Sequence, residues 1–230
     1  MVQDALSPDE ASLRLREVGR RIEAALKKAS RPPGTVALLA VSKTFPAPAV
    51  RVLLDAGQKL FGESYIQEAR EKIPQVGGDA DWHYIGHLQT NKARYAAQLF
   101  SAVHALDSLE LAAELNKRLI ALDRKLSCYV QVNVSGEETK SGIEPAGLPN
   151  FLDALSAYAA LVPEGLMTMP PYDPDPEASR PYFRRLYELK EHGAPSLKGL
   201  SMGMSGDFEV AIEEGATVVR VGTLLFGSRV

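Results

Sequence analysis

The sequence has very little cysteine and no long hydrophobic run. Its one cysteine, Cys128, excludes an intramolecular disulfide, and its position in the apolar run LSCYVQVNV predicts that it packs as a small hydrophobic side chain. No apolar run approaches the ~20 residues that a membrane-spanning helix needs, and the N-terminal segment lacks a secretory signal pattern. We therefore expect a cytoplasmic protein without a membrane partner.

Basic residues are not in excess either. The chain has 26 Lys and Arg against 29 Asp and Glu, and the basic residues are dispersed, which argues against a nucleic-acid partner. Hydrophobic residues make up 45% of the chain, enough for a sizeable core. Because no low-complexity linker interrupts the chain, we expect residues 1–230 to form a single domain, and we expect a monomer.

The first element has the start signal of a helix. Ser7 is a capping residue, Pro8 follows at the first helical position, and Glu10 stands three residues after the cap. Apolar residues then recur at helical spacing until RPPG at 31–34 ends the pattern. The sequence therefore predicts a leading amphipathic helix.

Downstream, eight apolar segments with β-forming residues alternate with seven segments of helical pattern. The predicted strands are TVALLAV (35–41), KLFG (59–62), DWHYIG (81–86), SAVHAL (101–106), SCYVQVNV (127–134), EGLMTM (164–169), LKGLSMG (197–203) and ATVVRVG (216–222). The predicted helices are PAVRVLLDAG (48–57), YIQEAREKI (65–73), TNKARYAAQLF (90–100), SLELAAELNKRLIALDR (108–124), LPNFLDALSAYAA (148–160), EASRPYFRRLYELKEHG (177–193) and DFEVAIEEG (207–215). This alternation predicts parallel β/α units.

Two α/β folds contain such units. A doubly wound sheet normally has a glycine-rich fingerprint after its first strand, whereas SKTFPAP, which follows the first strand here, contains no glycine. Eight units fit a closed (β/α)₈ TIM barrel of the usual size, which is about 250 residues. We therefore predict a single TIM barrel with an additional N-terminal helix.

In such barrels the chemistry lies where the strands end and the βα loops begin. Lys43 stands at the end of the first strand, in TVALLAVSKTFP. Burial lowers the pKa of a lysine and favours the neutral, nucleophilic amine, although a lysine at a strand end can also simply emerge into water. The other strand-end residues are GESY (62–65), GHLQTNK (86–92), Asp107, Asn133, Met167, SMGMSGD (201–207) and RVGTLLFG (220–227).

The last two of these segments favour anion binding. Ser205 and Gly206 begin a predicted helix, where backbone N–H groups lack partners, and Gly222 and Thr223 follow the last strand. Loops after strands seven and eight form the usual phosphate site of this barrel. Helix capping by Ser205 and a simple turn at Gly222 are the structural alternatives.

A lysine opposite a phosphate site suggests a ligand that carries an aldehyde and a phosphate. Pyridoxal phosphate is such a ligand, and so is a sugar phosphate in a Schiff-base aldolase. Arg220, with its side chain directed inward, would face the pyridine nitrogen and keep it unprotonated, which favours pyridoxal phosphate.

Seven motifs in register resemble the pyridoxal phosphate homeostasis proteins, the PROSC/YggS-type family related to the alanine racemase N-terminal barrel. These motifs are LLAVSKT, FGESYIQEA, WHYIGHLQTNK, KSGI, GLMTM, LSMGMSGD and VRVGTLLFG. The resemblance implies the fold type III barrel, with pyridoxal 5'-phosphate held as an internal aldimine on Lys43. It also implies phosphate contacts from the segments with Ser205, Gly206, Gly222 and Thr223, and Arg220 near the ring. Further cofactor contacts are expected from Ser64, Met167 and Ser201.

The chain departs from the family pattern at one position. The family usually reads GENYVQE, whereas Ser64 stands here in place of the asparagine. Serine is shorter than asparagine and has a single hydroxyl, so we expect water or Tyr65 to occupy the remaining space and the contact to the cofactor to weaken.

The resemblance implies a protein that maintains intracellular pyridoxal phosphate (vitamin B6) and amino-acid balance without catalysis. Racemisation needs two opposed acid/base groups, and racemase relatives carry one of them on a separate β domain, for which 230 residues leave no room after the barrel. Apoenzymes that use pyridoxal phosphate are the expected recipients. The alternatives are a racemase or decarboxylase that uses the same cofactor, and a Schiff-base aldolase.

A few polar residues have two interpretations each. His83 and His87 lack a Cys or carboxylate partner nearby in sequence, so packing or surface roles are favoured over a metal site. Lys140 is expected to be a solvated loop lysine, although it could capture the aldehyde. Asp107 and Asn133 could contact a ligand or cap the turns that follow their strands.

Overall fold

The computed structural model describes residues 6–137 and 140–227. Within these residues, eight parallel strands close into a barrel in which each strand pairs with its neighbour along the chain and the last pairs with the first. The strands are β1 (Ala37–Val41), β2 (Leu60–Glu63), β3 (Asp81–Tyr84), β4 (Ala102–Leu106), β5 (Leu126–Gln131), β6 (Leu161–Met167), β7 (Gly199–Met204) and β8 (Val218–Val221).

Helices surround the barrel and connect its strands. They are α1 (Pro8–Lys28), α2 (Ala47–Asp55), α3 (Ile66–Val76), α4 (Ala93–Leu99), α5 (Leu109–Ala121), α6 (Leu148–Leu155), α7 (Arg180–Gly193), α8 (Phe208–Glu213) and α9 (Thr223–Phe226). Short 3₁₀ turns at Thr90–Lys92, Pro145–Gly147 and Pro176–Ser179 precede α4, α6 and α7. No helix of the described residues is long and apolar enough to span a bilayer.

The predicted barrel with a leading helix is confirmed. Ser7 caps α1, because its Oγ accepts a hydrogen bond from the backbone N–H of Glu10 at 3.2 Å. Several element boundaries differ from the prediction; α6, for example, ends at Leu155, five residues earlier than predicted. β6 begins at Leu161 because its first residues continue the pairing with β5, and the short helix α9 follows β8 where a loop was predicted.

The barrel has two apolar layers. The larger layer lies between strands and helices, and it contains the fully buried Cys128, whose burial raises the pKa of its thiol to about 12. The packing role predicted for Cys128 is confirmed. The barrel interior is filled by a smaller cluster of inward-facing residues: Leu39, Val41, Ile85, Ala105, Tyr129, Met167 and Val218.

Strand alternation determines which side chains point into the interior. β1 and β8 close the barrel with Leu39 opposite Arg220, so side chains of both strands meet inside it. Val41 belongs to the inner cluster, and Lys43 follows it two residues later, just beyond the strand. The fold therefore directs Lys43 toward the carboxyl-terminal mouth of the barrel.

Candidate functional site

A cavity of about 530 Å³ opens at the carboxyl ends of the strands. It is lined by Val41, Lys43, Ser64, Ile85, Met169, Pro171, Tyr172, Asp173, Met204, Ser205, Gly206, Asp207, Arg220, Gly222 and Thr223. Residues from both ends of the chain sequence meet here, since β1 and β8 are neighbours in the closed barrel. We call this space the mouth cavity.

Lys43 lies half-buried on one side of the mouth cavity. Its neighbours are held by the backbone: Ser42 N–H donates to Gly62 O at 3.0 Å, and Phe45 N–H donates to Ser42 O at 3.1 Å. Thr44 has φ of 71°, a left-handed conformation that turns the chain sharply after Lys43. Position 43 is therefore fixed by a tight turn at the strand end.

The loops after β7 and β8 also line the mouth cavity and contact each other. Gly222 N–H donates to Ser205 Oγ at 3.2 Å, which joins the two loops directly. Gly203, near the end of β7, has φ of 90°, and a Cβ at this position would lie 2.5 Å from Ala211 Cβ. Only glycine fits there, so the turn that presents Ser205 depends on that residue.

The same two loops offer hydrogen-bond donors to an anion. A Cβ on Gly206 would meet nothing within 4 Å, so the backbone at this position is open to the cavity. Thr223 begins α9, and the N–H group of a first helical residue has no partner inside its helix. The loop carboxylate of Asp207 is already bonded, since it accepts from Met204 N–H at 2.7 Å and from Ser179 Oγ–H at 2.9 Å.

Arg220 lies at the base of the mouth cavity and is 4% exposed. Its Nη1 donates to Ser201 O and Ser201 Oγ, both at 2.7 Å, and its Nη2 donates to Thr168 O at 3.0 Å. Burial lowers the pKa of Arg220 to about 10, so the guanidinium is still cationic at neutral pH.

Seven of the nine predicted cofactor contacts line the mouth cavity: Lys43, Ser64, Ser205, Gly206, Arg220, Gly222 and Thr223. Met167 and Ser201 do not line it. Met167 packs in the inner cluster below the cavity, and Ser201 is fully buried beside Arg220. Met169 lines the cavity instead. It lies two residues after Met167, and residues two apart in an extended chain point to the same face.

The backbone of Ser64 is held in position by Tyr84, whose OH donates a hydrogen bond to Ser64 O at 2.9 Å. Tyr65 was one of two candidates for the space left by the shorter side chain. Its side chain is 54% exposed and is not part of the cavity lining, so Tyr65 does not fill that space here.

Other strand-end residues serve local structure. Asn133 Oδ1 accepts from Gly136 N–H at 3.1 Å, so Asn133 caps the turn after β5. Asp107 lies 3.6 Å from the exposed His87, and burial raises the pKa of its carboxyl. Lys140 is exposed and outside the mouth cavity, whereas His83 points into the barrel, where its Nδ1 lies 2.9 Å from His104 Nε2.

Several lining residues were missed by the sequence reasoning. Val41 and Ile85 were included only in strands, although strand alternation with Lys43 could have placed Val41 inside. The contribution of the proline-rich loop after β6 to the cavity was not foreseen either. The lining residues from that loop are Met169, Pro171, Tyr172 and Asp173.

The chain matches the family model described as alanine racemase, N-terminal domain, over residues 14–230. The closed barrel with its strand-end lysine is thus a barrel of the alanine racemase N-terminal class. Two curated relatives are named pyridoxal phosphate homeostasis protein. The one from Aquifex aeolicus (strain VF5) is 44% identical, with 94% of this chain and 97% of that protein covered. The one from Pseudomonas aeruginosa is 45% identical, with 93% of each chain covered.

A solved structure points to the same family. PipY of Synechococcus elongatus PCC7942, whose structure has PLP bound, is 37% identical with a TM-score of 0.77, and the alignment covers 90% of this chain and 100% of PipY. The chain therefore belongs to the pyridoxal phosphate homeostasis protein family.

Proposed function

We propose that this protein binds pyridoxal 5'-phosphate at the mouth cavity and acts in its homeostasis as a carrier, without catalysing a reaction. The observation that carries the proposal is the convergence of Lys43, Arg220 and the two joined loops on one cavity of about 530 Å³. PipY, a relative with PLP bound, supports the same ligand. Apoenzymes that require this cofactor are the proposed recipients.

The cavity has the donor chemistry that this ligand requires. Gly206 and Thr223 present backbone N–H groups, and Ser205 and Thr223 add hydroxyls, all of which suit a phosphate. Of the two carboxylates in the lining, Asp207 is held by Met204 and Ser179, while Asp173 accepts from Asp175 N–H at 2.8 Å. The residues present therefore fit the cofactor.

Each end of the ligand has a protein group assigned to it. Lys43 Nζ would hold the aldehyde carbon by condensation, with loss of one water molecule. Ser205, Gly206, Gly222 and Thr223 would hold the phosphate, and Arg220 would face the ring nitrogen. Bound pyridoxal phosphate supplies an electrophilic carbon and an electron-withdrawing ring, which a cationic Arg220 would leave unprotonated and hence less electron-withdrawing.

The cavity lining supports a carrier more than a catalyst. Racemisation needs a second acid/base group facing Lys43 across the ligand. Among the described lining residues, Tyr172, Asp173 and Asp207 carry groups that can transfer a proton. Both carboxylates already accept hydrogen bonds from the protein, and the side chain of Tyr172 is 88% exposed. A water-facing phenol is poorly placed for enclosed proton transfer, and an open mouth suits exchange of the cofactor.

The test uses purified protein incubated with pyridoxal phosphate. Wild type is expected to turn yellow, and borohydride is expected to fix one phosphopyridoxyl group on the peptide that contains Lys43. Lys43→Ala should give neither result, whereas Lys117→Ala should match wild type because Lys117 is 71% exposed on α5. Colourless wild type without an adduct would refute the proposal.

The same preparations separate the alternative functions. Exchange of an amino acid's α-proton into deuterated solvent, well above the rate with free cofactor, would indicate a racemase or a related enzyme. Borohydride trapping of a sugar phosphate, without trapping of pyridoxal phosphate, would indicate an aldolase. We expect neither result from wild type.

A further inference from the structure

A row of polar side chains runs through the barrel interior beneath the mouth cavity. Arg220 Nη1 is 2.7 Å from Ser201 Oγ, which is 2.7 Å from His104 Nδ1. His104 Nε2 is 2.9 Å from His83 Nδ1, and His83 Nε2 is 3.7 Å from Asp81 Oδ2. The row thus connects Arg220 with the opposite end of the barrel, where β3 begins. We call these five residues the interior chain.

The direction of the hydrogen bonds follows from what each group can donate. Arginine has only donors, so Ser201 Oγ accepts from Arg220. Ser201 is fully buried, and its hydroxyl hydrogen needs an acceptor, which His104 Nδ1 provides. If His104 Nδ1 carried the proton instead, the hydrogen of Ser201 would have no acceptor among the described residues.

This direction assigns the tautomer of both histidines. His104 is fully buried, and burial together with His83 and Arg220 lowers its pKa well below the ordinary 6.5, so the ring is neutral. With Nδ1 as acceptor, its proton is on Nε2 and is donated to His83 Nδ1. His83 then carries its own proton on Nε2, on the side of the Asp81 carboxylate.

Every group in the interior chain therefore turns its negative end toward Arg220. The oxygen of Ser201 and the acceptor nitrogens of His104 and His83 all point that way, and the Asp81 carboxylate lies 3.7 Å from His83 at the far end. Aligned dipoles stabilise a cation strongly in a buried, low-dielectric interior. The interior chain also fixes the orientation of the Arg220 guanidinium, since Nη1 donates to both the backbone oxygen and the hydroxyl of Ser201.

The geometry points to Ser201 and His104 as positioning residues that hold the Arg220 guanidinium oriented and charged beneath the cofactor ring. This role rests on the proposed binding of pyridoxal phosphate. His104 acts through Ser201, and Ser201 acts through Arg220; neither lines the mouth cavity. The interior chain thereby determines the electrostatic field at the ring nitrogen of the cofactor, and with it the absorption spectrum of the bound cofactor.

One test of the interior chain needs no cofactor. Two-bond ¹H–¹⁵N NMR of labelled apoprotein reports which ring nitrogen of each histidine carries the proton. We expect His104 and His83 both protonated on Nε2, and we expect the Nδ1 signal of His104 to move in Ser201→Ala because its donor is lost. Protonation of His104 on Nδ1, or on both nitrogens at neutral pH, would overturn the assignment.

The second test measures the absorption spectrum and the affinity of bound pyridoxal phosphate in variants of the interior chain. Ser201→Ala should still be fixed on Lys43 by borohydride, but with a shifted absorption maximum and about tenfold weaker affinity. Ser201→Thr keeps the hydroxyl and should restore the wild-type spectrum. His104→Asn keeps an acceptor for Ser201 and should shift the spectrum less than Ser201→Ala does. Ser156→Ala is the matched control, because Ser156 is exposed at the end of α6.

The outcomes separate this inference from the proposed function. Wild type that takes up no cofactor refutes the proposed function, and the positioning role falls with it. Wild type that binds normally, alongside Ser201→Ala with an unchanged spectrum and affinity, refutes only the positioning role. A Ser201→Ala protein with a lower melting temperature and a wild-type spectrum also refutes it, since the effect would then be structural. If Ser201→Ala fails to fold, a His104→Asn protein with a wild-type spectrum and affinity would overturn the inference.

Discussion

His104 is an ionisable side chain in a place that disfavours its charge. It is fully buried, stacks on Tyr129 with ring centroids 4.3 Å apart, and faces His83 and the cationic Arg220. Burial is the largest cause of its lowered pKa, and the two neighbours act in the same direction. The folded protein therefore excludes a proton that the unfolded chain takes up at moderately acidic pH.

This difference predicts how stability depends on pH. Because the pKa of His104 is lower in the folded state, the unfolded chain takes up this proton first as the pH falls. The free energy of unfolding is therefore unaffected by this group above about pH 6.5 and decreases below that pH. Between pH 7.5 and 5.5, wild type should lose about 1.4 kcal/mol relative to His104→Asn, which has no proton to bind there. Urea unfolding at both pH values, with Ser156→Ala as a neutral control, measures the difference. Parallel curves for wild type and His104→Asn would contradict it.

The residues of the mouth cavity were more predictable than those of the interior chain. Lys43, Ser205 and Gly222 stand next to strand ends, so their positions follow from local sequence and from the barrel rule. The contact between His104 and Ser201 joins residues 97 apart in sequence, and it depends on strand register inside the closed barrel. Met167 was wrongly predicted to contact the cavity for a similar reason. To choose between Met167 and Met169, one must know at which residue β6 ends, and the sequence does not give that residue.

At the scale of elements, α3 holds the end of β1 through a buried ionic cluster. Lys72 Nζ on α3 donates to Ser42 O at 2.8 Å and to Glu63 Oε1 at 2.7 Å, and it also bonds Glu68. Glu68 in turn accepts from Thr44 N–H at 2.7 Å. The cluster therefore binds the backbone on both sides of Lys43, which ties the position of that lysine to α3.

Glu63 makes this cluster sensitive to the loss of Lys72. It is fully buried, burial raises the pKa of its carboxyl while Lys72 lowers it, and its Oε2 has no hydrogen-bond partner in the described residues. Lys72→Met should cost about 3–5 kcal/mol of unfolding free energy, since it leaves a buried carboxylate without its cation. Denaturant unfolding measures this loss.

Two companion variants isolate the electrostatic cause. Lys117→Met, on the exposed face of α5, should change stability by less than about 0.5 kcal/mol. Glu63→Gln combined with Lys72→Met should be less destabilised than Lys72→Met alone, because the amide carries no charge and its oxygen can still accept from Ser42 Oγ–H. Equal losses in the single and double variants would show that packing, not charge, dominates.

The helical periodicity of α3 was recognised, but the role of its buried lysine was not. Ile66, Ala69 and Val76 lie on the buried face, and Lys72 lies on that same face. A lysine in an apolar stripe with Glu68 four residues before it indicates a buried ion pair. The partner Ser42 follows β1 and the partner Glu63 ends the neighbouring strand β2, so the complete cluster depends on the packing of α3 against the barrel.

At the scale of the whole molecule, α1 supports the loops that are proposed to hold the phosphate. Arg14 Nη1 donates to Leu225 O of α9 at 3.0 Å, and Arg21 forms an ion pair with Glu209 of α8 at 2.6 Å. These two short helices follow the loops that contain Ser205 and Gly222. The helix predicted before the barrel thus contacts the two helices that follow the β7 and β8 loops, whereas α3 holds the backbone around Lys43.

Because different elements would hold the two ends of bound pyridoxal phosphate, the two ends are expected to stabilise the protein separately. Pyridoxal phosphate at about 100 times its dissociation constant should add about 2.7 kcal/mol to the unfolding free energy of wild type, which corresponds to a rise of roughly 5–10 °C in melting temperature. Lys43→Ala should lose most of this rise but keep the smaller rise caused by inorganic phosphate, since the loops after β7 and β8 are intact.

A substitution in the loop after β7 should instead affect the thermal shift with phosphate more than the shift with pyridoxal phosphate. Gly206→Asp places a carboxylate in the open space beside Ser205, so it should abolish the rise with phosphate and weaken the rise with pyridoxal phosphate. Gly147→Asp is the matched control, because Gly147 is exposed and a Cβ there also meets nothing within 4 Å. Differential scanning fluorimetry of the four proteins measures these shifts. A phosphate response that disappears in Lys43→Ala, or persists in Gly206→Asp, would mean that the anion binds away from these loops.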